Sequence, residues 1–184
     1  MSSPITVTFV GAKGGVGTST VAALHAIQLA RLGHTVRLSA NDGIDDIAAI
    51  VGVPCPAPND TTKVLPGLTL AEQRCTDIDT INVVDADSDC FTDHDGSVYL
   101  VLRNDYLSLR RALNAPRPTT GLILVTEAQR PLTRRNVEDV LPQPIVVELR
   151  LDPGIARAVD AGLLTTARHL RVDLSLAGGA AHAR

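Results

Sequence analysis

The residues best placed to do chemistry are a run of glycines and hydroxyls and two aspartates. The run is Gly11-Ala12-Lys13-Gly14-Gly15-Val16-Gly17-Thr18-Ser19-Thr20, and the aspartates are Asp42 and Asp85, near the carboxyl ends of apolar segments. Glycines let backbone N–H groups close around an anion, and a helix N-terminus behind them adds a partial positive charge. The chemistry this predicts is phosphate binding, with Gly14 to Thr20 wrapping the phosphates. In the pattern G-x-x-x-x-G-K-[ST], Ser19 falls where a hydroxyl would reach Mg²⁺. Thr18 stands where that pattern has its phosphate lysine, and a lysine stands earlier instead, at Lys13. Asp85 ends a hydrophobic run, where an acid holds Mg²⁺, often through a water. Asp42 lies just past another such run, on the ligand side of an open parallel sheet. Its competing role is a turn or N-cap aspartate before a short helix.

These residues must be positioned by strands that alternate with helices. Ile5 to Val10 is β-branched and apolar and predicts a buried parallel strand running into the loop. Thr18 to Leu32 predicts a helix with His25, Gln28 and Arg31 on a solvated stripe and a broad apolar face on the sheet. Gly33 suits its C-terminal cap. Thr35 to Ala40 predicts the second strand, Asp45 to Val51 a short helix, and the proline-rich stretch Val53 to Gly67 a loop. Leu68 to Ala71, Thr80 to Ala86, Ser97 to Arg103, Thr120 to Thr126 and Ile145 to Leu149 predict further strands. Tyr106 to Asn114, Arg134 to Leu141, Ile155 to Ala161 and Leu163 to Arg171 predict the helices between and after them. The alternation predicts an α/β, doubly wound, mostly parallel sheet in a single domain, residues 1–176, with a disordered tail at 177–184.

At 184 residues the chain is long enough for one substantial core, built from Val, Leu, Ile and Ala because aromatics make up only 2%. No stretch is apolar enough for a transmembrane helix, and Ile5 to Val10 is too short for a signal peptide. Cys55, Cys75 and Cys90 form no C-x-x-C pair, which argues against a disulfide framework or zinc site and for a reducing, cytoplasmic setting. Residues 1–100 carry a net charge of −7 and residues 101–184 a net of +4. That basic half could face an acidic partner such as DNA, or be ordinary solvated arginine. Asp85, Asp87, Asp89, Asp93 and Asp95 crowd one stretch and would repel one another without a cation or a partner's arginines. Their spacing lacks the glycine and terminal glutamate of a calcium loop.

Lys13-Gly14-Gly15-Val16-Gly17 resembles the deviant Walker A loop of the ParA/MinD family of dimerising P-loop ATPases, of the SIMIBI type. With Thr18 at the second lysine position it resembles the atypical loops of the TadZ/CpaE branch. Val101 to Arg110, Leu151-Asp152-Pro153 and Ala158 to Gly162 are also similar to family segments. The resemblance implies binding of ATP or ADP with Mg²⁺, and a homodimer in which Lys13 reaches across to the partner's nucleotide. It implies Asp42 as the residue that orients the attacking water and Asp85 as the switch II aspartate near Mg²⁺. Thr126-Glu127 replaces the family's adenine-reading asparagine, which leaves the base open. The implied function is intracellular positioning or DNA partitioning with weak ATP hydrolysis, assisted by a protein regulator or by nonspecific DNA. The alternative is a scaffold that binds nucleotide constitutively or not at all, because Thr18 removes a charge from the β/γ-phosphates.

Overall fold

The computed structural model describes residues 3–86, 96–115 and 120–167. Asp87, Asp89, Cys90, Asp93, Asp95, Arg168, Arg171 and the tail lie outside them, as does most of the helix expected at Leu163 to Arg171. Residues 163–167 contain a turn.

Eight strands form one sheet in the order β3-β4-β2-β5-β1-β6-β7-β8. They are β1 (Thr6–Gly11), β2 (Thr35–Ala40), β3 (Thr62–Leu65), β4 (Leu68–Leu70), β5 (Thr80–Ala86), β6 (Ser97–Arg103), β7 (Gly121–Thr126) and β8 (Ile145–Arg150). All neighbours are parallel except β3 and β4. Every residue of β1 and β5 is buried, because helices cover both faces of a parallel sheet. Strand β8 alternates buried and exposed residues, as an edge strand does.

The helices are α1 (Thr18–Arg31), α2 (Ile44–Val51), α3 (Tyr106–Leu113), α4 (Arg134–Glu138) and α5 (Pro153–Asp160). One core packs α1, α2 and Ile155 of α5 on Val7, Phe9, Leu38, Val83 and Val101. The other packs Leu109 of α3 and Val137 of α4 on Val10, Leu100, Leu102 and Leu124. From β1 the chain moves to β2 on one side, and later to β6, β7 and β8 on the other. The carboxyl end of β1 is therefore where the order reverses, the place such sheets bind ligands.

Three expectations change. The proline-rich stretch holds a strand, β3, paired antiparallel to β4 through a Pro66-Gly67 turn. Gly67 sits at φ 83°, and a Cβ there would lie 2.8 Å from the His34 carbonyl. His25 is not on a solvated stripe: it is 1% exposed, edge-on to the Phe9 ring at 5.5 Å. Helix α4 is a five-residue stub, closed by reciprocal hydrogen bonds between Thr133 and Asn136.

Candidate functional site

Strand β1 ends by donating the Ala12 N–H to the Val101 carbonyl, 2.8 Å away. The chain then turns through Gly15 at φ 75° and Gly17 at φ 97°, the left-handed region that glycine enters without strain. Gly17 is the N-cap of α1 and has no side chain to cap it. The first helical bond runs from the Val21 N–H to the Gly17 carbonyl, 2.9 Å. The N–H groups of Thr18, Ser19 and Thr20 therefore have no intrahelical carbonyl and are available to an anion.

These residues line a cleft of about 530 Å³, together with Lys13, Gly14, Gly15, Asp42 and Asp85. That volume suits a nucleotide-sized ligand. The cleft thus brings together all of the expected site residues but one. Val16 is fully buried in the core, so its side chain anchors the loop and touches no ligand. Asp46 and Ile50 of α2 and Val159 of α5 complete the wall. Sequence reading had assigned these three only to helices. Asp46, four residues beyond Asp42 at the start of the expected helix, was the available signal.

Counting back from Gly17, the first glycine of the phosphate-loop pattern falls on Ala12, while Gly11 is the last residue of β1. The loop thus departs from the pattern at Ala12 and at Thr18.

Among the described residues the cleft is lined by one lysine and three carboxylates, Asp42, Asp46 and Asp85. Asp42 is exposed, and its carboxylate accepts the Gly43 N–H at 2.9 Å. Asp85 is buried at the end of β5, and its carbonyl accepts the Asn41 N–H at 3.0 Å. Among the described residues no cluster of His, Cys, Asp and Glu could hold a metal by itself. The donors present are hard oxygens, the Ser19 and Thr20 hydroxyls and the Asp85 carboxylate. That set fits Mg²⁺, which takes one or two protein ligands and completes its shell with phosphates and water. A bare polyphosphate would face three carboxylates, so the cleft suits the Mg²⁺ complex better.

Lys13 is half-buried, with Nζ 3.4 Å from the Gly14 carbonyl. It does have an acid nearby. Burial pushes the Asp105 carboxyl up, but hydrogen bonds from the Ser108 N–H and hydroxyl, and the charges of Lys13 and Arg130, outweigh this and hold it below the usual range. Asp105 caps α3, accepting from the Ser108 N–H at 2.8 Å.

Asn104 is a positioning residue that sequence reading did not single out. It is buried at the end of β6 and donates to the Glu127 and Leu132 carbonyls, both at 3.2 Å. Its Oδ1 accepts the Glu127 N–H at 2.9 Å. It thereby pins the loop after β7. Thr126 and Glu127 do not line the cleft, and the Glu127 carboxylate pairs with Arg130 at 2.7 Å.

No family model and no curated protein matches this chain. Its fold does have solved counterparts. It is similar to a ParA family ATPase from Chlorobium tepidum, at 17% identity and a TM-score of 0.69 over 91% of this chain and 93% of that one. It is similar to the septum site-determining protein MinD of Pyrococcus horikoshii, complexed with Mg-ADP, at 16% identity and a TM-score of 0.67 over 88% and 87%. A further likeness is to the MinC:MinD cell division complex of Aquifex aeolicus, at 16% identity and a TM-score of 0.65 over 90% and 95%. The fold is that of the ParA/MinD P-loop ATPases, a single-domain α/β architecture with a mostly parallel sheet.

Proposed function

We propose that this chain binds ATP or ADP as the Mg²⁺ complex in the cleft, and that binding controls pairing of two copies in an intracellular positioning or partitioning role. One observation carries the reading. The uncapped N-terminus of α1 and the buried Asp85 at the end of β5 open into one cleft. The amides of Gly14 to Thr20 would hold the phosphates. Ser19 would ligate Mg²⁺, and Asp85 would orient it. Asp42 would position water for slow hydrolysis. The solved counterparts add support, since one of them carries Mg-ADP.

Thr18 favours a second reading, a scaffold that binds nucleotide without turning it over. A neutral hydroxyl supplies far less stabilisation to the phosphoryl transition state than a lysine. The test is nucleotide content of the purified protein, a titration with ATP and Mg²⁺, and phosphate release with and without duplex DNA. Saturable, Mg²⁺-dependent binding with measurable release supports the first reading. Binding without release supports the scaffold. No binding at millimolar nucleotide, with none carried by the purified protein, sinks the first reading and leaves only a scaffold that binds none.

No helix among the described residues is long and apolar enough to cross a membrane. A cytoplasmic site of action, a protein regulator and DNA as a surface belong to this proposal.

A further inference from the structure

Strand β8 ends the sheet, with β7 as its one strand neighbour among the described residues. In an extended strand the N–H and C=O of one residue point to the same side, and successive residues alternate sides. The Leu151 N–H donates to the Thr126 carbonyl at 2.7 Å, so Leu149 and Leu151 turn their backbone groups toward β7. Glu148 and Arg150 therefore turn theirs outward, to an open edge. The other edge strand, β3, is four residues long and carries the exposed Lys63. A lysine guards an edge, because a second copy would set like charges together. Strand β8 carries opposite signs instead. Glu148 and Arg150 are exposed on one sheet face, in register with Leu124 and Thr126. Glu148 lies 3.9 Å from Arg134, and Arg150 makes no ion pair among the described residues. On the other face Val147, Leu149 and Leu151 form an apolar row that joins the core beneath α5.

We infer that β8 pairs antiparallel with β8 of a second copy, about a two-fold axis at Leu149, so that two sheets join into one. A two-fold interface must be self-complementary. Around Leu149 both faces of the strand are. With Leu149 opposite Leu149, Glu148 of each copy stands opposite Arg150 of the other. On the apolar face Val147 of each copy stands opposite Leu151 of the other. The outward backbone groups of Glu148 and Arg150 then fall in directly opposed positions, where each pair exchanges both of its hydrogen bonds. Moving the axis to Glu148 or to Arg150 would set like charges opposite each other, so the charges select this register. The axis is normal to the sheet, and the two clefts open in opposite directions. This contact therefore needs no nucleotide and is separate from any pairing through the clefts. It is small, which places it in the weak class of interfaces.

The test exchanges the two charges. Glu148→Arg and Arg150→Glu each set like charges opposite each other at both contacts. The double variant Glu148→Arg/Arg150→Glu restores opposite charges in exchanged order. Neither residue lines the cleft. Pairing is read by sedimentation equilibrium in EDTA without nucleotide, after thermal melts show each variant folded. A series up to about 0.5 mM protein detects dissociation constants up to about 1 mM. The unaltered chain should form dimers, each single variant should pair about tenfold or more weakly, and the double variant should regain pairing. Amide exchange at Glu148 and Arg150 should slow as the protein concentration rises. A monomer throughout the series, single variants that pair as well as the unaltered chain, or a double variant as weak as the singles overturns the inference and leaves the nucleotide reading standing. Equal protection of those two amides at every dilution would mean that the chain itself covers the edge, and overturns it too.

Discussion

The Thr18 hydroxyl sits over Gly11: a Cβ built on Gly11 would lie 2.5 Å from Thr18 Oγ1. The residue at the lysine position of the phosphate-loop pattern is thus accommodated by a glycine at the end of β1. Thr18→Lys should restore a charge over the β/γ-phosphates and raise MgATP affinity or turnover by about tenfold or more. Isothermal titration and phosphate release measure it. Unchanged binding and rate would show that position 18 does not face the phosphates. Gly11→Ala should displace Thr18 and weaken nucleotide binding, and the double variant Gly11→Ala/Thr18→Ser should recover less than Gly11→Ala loses.

His25 makes the fold acid-sensitive. Burial lowers its pKa from 6.5 to about 4, and neither ring nitrogen has a hydrogen-bond partner. Between those two values the unfolded chain holds the proton and the folded chain does not. Stability therefore falls as pH drops from about 6.5 toward 4, by up to about 3 kcal/mol. His25→Leu should match or exceed the parent at pH 7.5 and lose less on going to pH 5. Urea unfolding at the two pH values checks this, and equal losses in both proteins would clear His25 of the role.

Asn104 supports a third expectation. Asn104→Ala removes three buried hydrogen bonds and leaves the Glu127 N–H and two carbonyls to find new partners. The expected cost is about 2–4 kcal/mol of unfolding free energy. Backbone amide exchange should rise first in residues 127–132. A loss confined to the global transition, with that loop unaffected, would contradict the pinning role.

What the sequence made legible follows from where local chemistry settles the structure. Strands β5 and β6 begin and end where their apolar runs do, because both faces are covered and the pattern is continuous. The loop, Ser19, Asp42 and Asp85 were legible because glycine and strand-end acids are read one at a time. His25 was misread because a stripe counted on one helix cannot say how wide the covering sheet is. Strand β3 was hidden by Pro54, Pro56 and Pro58, which mark a loop, while Pro66 is only its turn. Asp46, Ile50 and Val159 needed the fold, since α2 and α5 meet only through tertiary packing, with Gly52 and Gly162 in close backbone approach.

Among the described residues, the arginines of the second half differ in how free they are. Arg134 pairs with Glu138 at 2.7 Å and lies 3.9 Å from Glu148, and Arg103 is half-buried. Arg110, Arg111 and Arg135 are exposed on α3 and α4. Contacts from Arg110, Arg111 and Arg135 alone would give a shallow salt dependence, a log–log slope of about −2 to −3. Retention on duplex DNA should then be lost well below physiological salt. A slope steeper than about −5 would require basic residues beyond these three.

Lys13 lies at the mouth of the cleft, half-buried between the phosphate loop and the capping Asp105. It comes five residues before the position from which the usual lysine reaches the β/γ-phosphates. Its charge helps to hold the Asp105 carboxyl below the usual range. When two clefts face each other and water is excluded, its charge would meet the partner's phosphates, where the attraction is stronger than in solvent. Pairing would then be linked to nucleotide by mass action. Lys13→Ala should reduce AMPPNP-dependent dimerisation by about tenfold or more while changing binding to dilute monomer by less than about threefold. Light scattering with Mg²⁺ and AMPPNP gives the first quantity, and a titration on dilute protein gives the second. Equal dimerisation by Lys13→Ala and the unaltered chain would make Lys13 a local phosphate contact only. Equal losses in dimerisation and monomer binding would point the same way, because a residue acting only across the interface has no effect on a single copy.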